Sequence, residues 1–391
     1  MTMARTISPS LAALVGAAAA LTHGAAHAQS APEGDHVGYR YNVYGEDAFD
    51  GAAIGSTQRY EVFSQQFQLG THVAGGALDV SATHEVMSGS SPWYVLPGAD
   101  GRPIQVLSGA TIREHRSELR AAYTAGAGTA SSTTISASYS QERDYRATAL
   151  GFERSRPLGA ALTLGYGASL SHDIVQPTDA VLYDRIHHAE KNTASAFGSL
   201  AWVLDRNSVL QAGVQLNHGD GYLSDPYKLV SVGSDILPDT RPGARTEGAA
   251  LLRYRRAFAH PDGALHLDYR YAQDSWGIVS HTVDVGWYQR LPGGWQLVPA
   301  LRYYSQAAAR FYAPFFAPGE HRFFSSDYRL GTFGALSGGV NVRKRIARWN
   351  FSIGVERYHA ATDYALGGSD AAVPGVVSYT RGFVGVDYDF D

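Results

Sequence analysis

The feature that most constrains this chain is an alternation of apolar and polar residues with a period of two. Leu265, Leu267, Tyr269 and Tyr271 alternate with His266, Asp268, Arg270 and Ala272. A strand of that pattern separates an oily environment from a wet one. The same alternation recurs over 162–171, 210–217 and 349–356. Along the chain it predicts about 16 strands of roughly 10 to 16 residues, near the length a tilted membrane strand needs.

The connections alternate as well. Short turns are expected around Gly75-Gly76, Gly126-Ala127-Gly128, Pro157-Leu158-Gly159, Asp205-Arg206-Asn207, His260-Pro261-Asp262-Gly263, Pro292-Gly293-Gly294 and Ile346-Ala347-Arg348. Between them fall longer connections at 87–110, 175–190, 219–244, 307–324 and 360–375. Short on one side and long on the other is the habit of outer-membrane barrels. The expected fold is therefore all-β: a transmembrane, antiparallel, up-and-down β-barrel of about 16 strands (range 14–18). Its even strand count puts both chain ends in the periplasm.

Residues 1–28 read as a secretory signal. Arg5 supplies the positive n-region, 11–21 the apolar stretch, and Ala26-His27-Ala28 the small-x-small cleavage pattern. The rest, 29–391, reads as one barrel domain exported through the periplasm to a Gram-negative outer membrane. Its expected partners are outer-membrane lipid and, during biogenesis, the barrel-assembly machinery. The chain has no cysteine, which excludes disulfides, thiolate metal sites and Cys-linked haem. A net charge of −4 gives no footprint for nucleic acid. The 43 glycines and 24 tyrosines favour strands and turns over helices.

Tryptophan placement supports the topology. Trp202 and Trp287 fall before short turns, and Trp295 and Trp349 just after them, so all four belong to one interfacial girdle. Tyr44, Tyr145, Tyr183, Tyr271 and Trp276 are the candidates for the opposite rim. The chain closes on Val384, Val386, Tyr388 and Phe390 along one face, with Phe390 penultimate.

Several stretches resemble an uncharacterised family of bacterial outer-membrane β-barrel proteins, domain of unknown function family 3570. They include Gly221-Tyr222-Leu223-Ser224-Asp225-Pro226-Tyr227-Lys228, Asp274-Ser275-Trp276-Gly277-Ile278, Arg302-Tyr303-Tyr304-Ser305-Gln306 and Ser325-Ser326-Asp327-Tyr328-Arg329-Leu330. Glu85-Val86-Met87-Ser88-Gly89 and Thr111-Ile112-Arg113-Glu114 are similar to its earlier landmarks. The resemblance implies a barrel over nearly all of 29–391 and implies no activity.

The chemistry is sparse. There is no G-x-S-x-G elbow, no phosphate-binding G-x-x-x-x-G-K-[ST] loop and no H-E-x-x-H pair. No catalytic, metal or cofactor residue is assigned, and no cofactor is expected. Alternation puts Glu114, Arg116, Glu118 and Arg120 on one face, as it does Asp268, Arg270 and Asp274. Asp327 pairs with Arg329 in the same way, and Asp284, Arg302, Glu356 and Arg381 fall on polar faces. These are the lumen-facing candidates, either as structural ion pairs or as a charge-selective constriction. The histidines, several near strand ends, show no metal-ligand spacing. Asp225-Pro226-Tyr227-Lys228 is expected in a loop folded inward to pack the mouth.

Three functions follow from this reading. The first is a passive pore or transport-related barrel for a small solute. The second is a binding or assembly barrel with a filled lumen, handling a metal ion or a periplasmic partner. The third is an outer-membrane barrel hydrolase.

Overall fold

The computed structural model describes residues 34–390, apart from 50, 57, 110–112, 320 and 369–371. The expected signal segment at 1–28 lies outside the described residues.

Sixteen antiparallel strands close into one barrel. In chain order they are β1 His36–Glu46, β2 Glu61–Val73, β3 Gly76–Ser88, β4 Arg113–Ala125, β5 Ser132–Gln141, β6 Tyr145–Pro157, β7 Leu162–Val175 and β8 Ala189–Asp205. There follow β9 Ser208–Gly221, β10 Ala244–Phe258, β11 Gly263–Asp274, β12 Val279–Leu291, β13 Trp295–Gln306, β14 Phe333–Ile346, β15 Trp349–Ala361 and β16 Tyr379–Asp389. Each strand pairs with its sequence neighbours. The cylinder closes where β1 meets β16, from His36 opposite Asp389 to Glu46 opposite Tyr379. Closure leaves no strand edge with unpaired backbone in the hydrocarbon, which is what lets strands cross a membrane at all.

Period two decides which way each side chain points. Leu170 and Val214 are 65% and 67% exposed on the outer surface. Their neighbours Ser169 and Gln215 face the lumen, and Gln215 donates to Asn217 at 3.0 Å. The apolar surface that a soluble protein would bury is turned toward lipid here, as a transmembrane barrel requires. Trp202, Trp295 and Trp349 are exposed on that surface at one end, and Trp287 packs on Phe258 there at 5.5 Å between ring centres. The tight turns lie at the same end.

The other end carries the long connections. The one at 89–112 contains the hairpin Pro92–Pro97 with Pro103–Leu107, extended by a parallel strand Ala53–Ile54. The one at 222–243 contains the hairpin Leu229–Val232 with Asp235–Pro238. The segment 307–332 ends in a 3-10 turn, Tyr328–Leu330, whose N-cap Asp327 accepts the backbone N–H of Arg329. These segments pack on one another, leaving Asp235–Pro238 on the outer side exposed. Val95 and Val230 are fully buried, Phe316 and Ser231 share a backbone hydrogen bond, and Thr240 and Phe324 exchange two. The barrel therefore has a turn end and a loop end, and the loop end is filled.

Candidate functional site

Where the loops meet inside the mouth, they bring six charges together. Arg329 reaches Asp225 at 2.9 Å and grips both oxygens of Asp327 in a forked pair, with Nε at 2.8 Å. Arg241 donates to Asp239 at 2.7 Å and to Asp327 at 2.9 Å. Lys228 donates to the carbonyl of Pro92 on the neighbouring hairpin. Asp327 is 2% exposed and Lys228 4%. Three carboxylates and three cations thus neutralise one another out of water. A buried charge is tolerated only on such terms, and the planar guanidinium fork suits shared carboxylates.

The electrostatics follow from that packing. Burial alone would raise the Asp327 carboxyl, but Arg329, Lys228 and Arg241 together hold it well below the usual carboxylate range. Burial pulls the Lys228 ammonium below its usual range, opposed by Asp327. Burial pushes Asp239 up, opposed by Arg241. Asp327 is the anion on which the three cations depend.

A second cluster ties the mouth to the wall. Tyr227, one residue before Lys228, donates its hydroxyl to Asp144 and accepts the Thr178 N–H at 3.0 Å. Arg185 covers the Tyr227 ring at 4.6 Å. Beside Asp144, a single guanidinium, Arg116, serves Glu85 at 2.9 Å, Glu142 at 3.7 Å and Glu118. Burial, reinforced by Asp144 and the neighbouring glutamates, pushes Glu142 up to about 8. Burial likewise pushes Asp144 up to about 6, against the Tyr227 hydrogen bond.

Below the mouth the lumen wall differs on its two sides. From β10 to β16, charges pair across adjacent strands: Arg253 and Arg255 with Asp268, Arg270 with Glu247 at 2.8 Å, Arg302 with Asp284 at 3.6 Å, and Arg381 with Glu356 at 2.7 Å. From β5 to β9 one row of inward positions is small and uncharged, with Glu153 below it and the Asp173–Lys191 pair above it. Ser136 lies opposite Gly151, Gly151 opposite Ser169, Ser169 opposite Ser195, and Ser195 opposite Asn217. One wall is laced with partly solvated ion pairs, and the other carries a row of small uncharged residues at its middle.

Most of the sequence candidates lie along this path. Arg116 and Glu118 sit in the acidic cluster with Glu114, whose carboxylate accepts the Arg143 N–H at 3.1 Å. Arg120 interacts electrostatically with Asp79 and Glu153. Asp268, Arg270, Asp284, Arg302, Glu356 and Arg381 line the charged wall, and Asp274 pairs with Arg245 at 2.6 Å at its top.

Two expectations need correction. Asp327 and Arg329 share no strand face, because the backbone leaves extended geometry there and both enter the mouth from a 3-10 turn. Three of the five aromatics expected at the second rim point inward. Trp276 is buried against Ala309 and Leu330, Tyr44 packs on Tyr60, Val62 and Met87, and Tyr145 donates to Asp173. The sequence reading missed Asp239, Arg241, Glu142 and Asp144. Asp239 and Arg241 pair two residues apart, but the partners that draw these four into the mouth, Asp327, Arg116 and Tyr227, lie far along the chain.

A family model described as a protein of unknown function (DUF3570) matches residues 6–380. No curated protein sequence matches the chain. Among solved structures it is similar to CdiB from Acinetobacter baumannii, at 10% identity and a TM-score of 0.49, over 90% of this chain and 60% of that one. It is also similar to the siderophore receptor PirA from Pseudomonas aeruginosa, at 12% identity and a TM-score of 0.42, over 90% and 62%. A third is Pseudomonas aeruginosa OpdK, solved with vanillate, at 11% identity and a TM-score of 0.35, over 93% and 100%. The chain spans about three fifths of the length of the first two. At such identities the likeness concerns the fold alone.

Proposed function

The chain belongs to this DUF3570 family of proteins of unknown function, and we propose that it is a transport-related outer-membrane pore held shut at its outward mouth by its own loops. The loop end faces out and the turn end faces the periplasm, following the habit of such barrels. The observation that carries the reading is the contrast along the axis. A neutralised, buried ion network closes the mouth, above a lumen wall of half-exposed polar and charged groups. A 16-stranded wall is wide enough for an aqueous channel unless it is plugged, and here the plug is confined to one end. Ion pairs at a constriction can open by exchanging partners.

The filled mouth also suits the second reading, a binding or assembly barrel that never conducts. Single-channel recording in a planar bilayer separates the two. Wild type is expected to be closed with rare openings, and Asp327→Asn to show long, discrete openings. An Asp327→Asn barrel that is folded yet as silent as wild type would favour the binding reading.

A further inference from the structure

The rim of the loop end carries imidazoles where the turn end carries tryptophans. Six histidines lie within four residues of the loop end of their strands: His84 on β3, His115 on β4, His172 on β7, His218 on β9, His281 on β12 and His359 on β15. Each shares its face with lipid-facing apolar side chains, among them Leu119, Leu170, Leu216, Val285 and Val355. Five of the six are exposed and His281 is half-buried. Their depth fits a lipid interface. On β15, Trp349 and His359 point outward ten residues apart, about 34 Å along the strand and about 26 Å along the axis at a tilt near 40°, which matches an apolar band of about 25 Å.

Their hydrogen bonding leaves one ring nitrogen available. Nδ1 is bonded to Ser117 in His84 (3.0 Å), Asn192 in His172 (2.9 Å) and Thr246 in His218 (2.8 Å). In His281 it is bonded to Tyr269 (2.8 Å), and in His359 to Ser378 (3.0 Å). His115 stacks on His84 with 5.8 Å between ring centres. The residues directly opposite are uncharged, namely Gln65 for His84, Thr148 for His172, Ala194 for His218 and Leu336 for His359. Among the described residues, none of the six has a carboxylate within ion-pair distance. The rim's acids are engaged elsewhere or lie at the very ends of strands. Glu190 meets His188 at 3.3 Å, Asp47 pairs with Arg357 while also lying within electrostatic reach of His359, and Glu61 and Asp220 are exposed at the tips of β2 and β9. Arg113, Arg143 and Arg146 are exposed at the same rim.

We propose that this belt is a binding surface for the phosphate groups of lipid headgroups in the leaflet at the loop end. An interfacial side chain with a fixed Nδ1 presents Nε2 outward. Once protonated, it offers a charged hydrogen-bond donor at the level where phosphodiesters lie. Tryptophan anchors a barrel at an interface without regard to headgroup charge, whereas imidazole makes that anchoring selective for anions and stronger in mildly acid water.

The test is native mass spectrometry of the full barrel in neutral detergent. It is titrated with phosphatidylglycerol or with diacylglycerol, which lacks the phosphate, at about pH 5.5 and about pH 8.5, either side of an ordinary imidazole. The phosphodiester keeps one negative charge at both values, so a pH effect reports on the protein. Wild type is expected to retain roughly fivefold more phosphatidylglycerol than diacylglycerol in acid and to lose most of that excess in base. The combined His→Asn variant at the six positions, with its heat-modifiable gel migration checked, should show no pH-dependent excess. His266→Asn, inside the lumen, should behave as wild type. Equal binding of the two lipids by wild type, an excess unchanged between the two pH values, or a folded six-position variant that keeps the pH-dependent excess would overturn the proposal. If that variant does not fold, the wild-type pH comparison decides alone.

Discussion

The two ends of this barrel solve opposite problems with different chemistry. At the turn end, strands are joined by a few residues, tryptophans meet the lipid interface and the inner wall is wet. At the loop end, connections of up to 26 residues fold inward, charges are buried, and imidazoles meet the interface. The turn end is set by local sequence, since Gly293 and Gly294 adopt positive φ and Asp205 caps its own turn through Asn207 and Ser208. The loop end is set by contacts far apart in the chain. Arg329 and Asp225 are 104 residues apart, and Lys228 and Pro92 are 136 apart. A barrel wall can thus be specified strand by strand, while its packed mouth exists only once the wall has closed.

The sharpest way to break the comparison is to remove one charge from each end. Asp327→Ala leaves Arg329, Arg241 and Lys228 buried around a missing anion, which should cost the packed mouth about 3–5 kcal/mol. Asp284→Ala in the partly solvated lumen pair should cost less than about 1 kcal/mol. Hydrogen exchange of residues 222–243 and 325–332 reads the first, and urea unfolding in detergent reads the second. Equal costs at both ends would mean that the mouth is not a desolvated network.

The wall itself gives the next largest effect. Val214→Arg puts a charge at the lipid-facing midplane of β9 and should cost about 2–4 kcal/mol of folding in lipid. Gln215→Arg, one residue on, faces the lumen and should be tolerated. If the two variants refold into vesicles equally well, the register of that strand is wrong.

A smaller effect should appear with pH at the loop end. Glu142 titrates near 8 rather than at the ordinary 4.5, so the folded mouth favours its protonated form. The stability this lends is fully present below about pH 4.5 and is lost as pH rises through about 8. Asp144 acts in the same direction between 3.8 and about 6. Protection of the mouth loops from protease should therefore fall between about pH 5 and about pH 9, and Glu142→Gln should flatten the fall. A mouth as well protected in base as in acid would contradict the burial of this cluster.

What the sequence revealed divides along the same line. The strands, the short turns and the tryptophan rim follow from a period of two, which is a local property. The alternation in Ser325-Ser326-Asp327-Tyr328-Arg329-Leu330 imitates a strand, yet Asp327 caps a 3-10 turn, and only its distant partners explain the bend. Position near strand ends alone places Tyr44, Tyr145 and Trp276 at a rim. Parity would have corrected Tyr44, because Val43 takes the lipid face. The same parity places His84, His115, His172, His218, His281 and His359 outward. The histidine belt was therefore readable, though it goes unseen while histidine is considered only as a metal ligand. The mouth was legible only as the inward-packing tendency of Asp225-Pro226-Tyr227-Lys228, because its acid–base pairing is assembled from loops that share no local pattern.

The most direct test of the central claim uses the absence of cysteine in the chain. Ser169→Cys places one thiol in the row of small lumen-facing residues below the mouth, in proteoliposomes whose barrel orientation has been determined. A small, membrane-impermeant maleimide should label it rapidly from the turn end and at least about tenfold more slowly from the loop end, as a closed outward mouth over a wet lumen requires. Adding Asp327→Ala should make labelling from the two sides similar. Rapid labelling from the loop end in the otherwise wild-type barrel would contradict a mouth held shut by its loops.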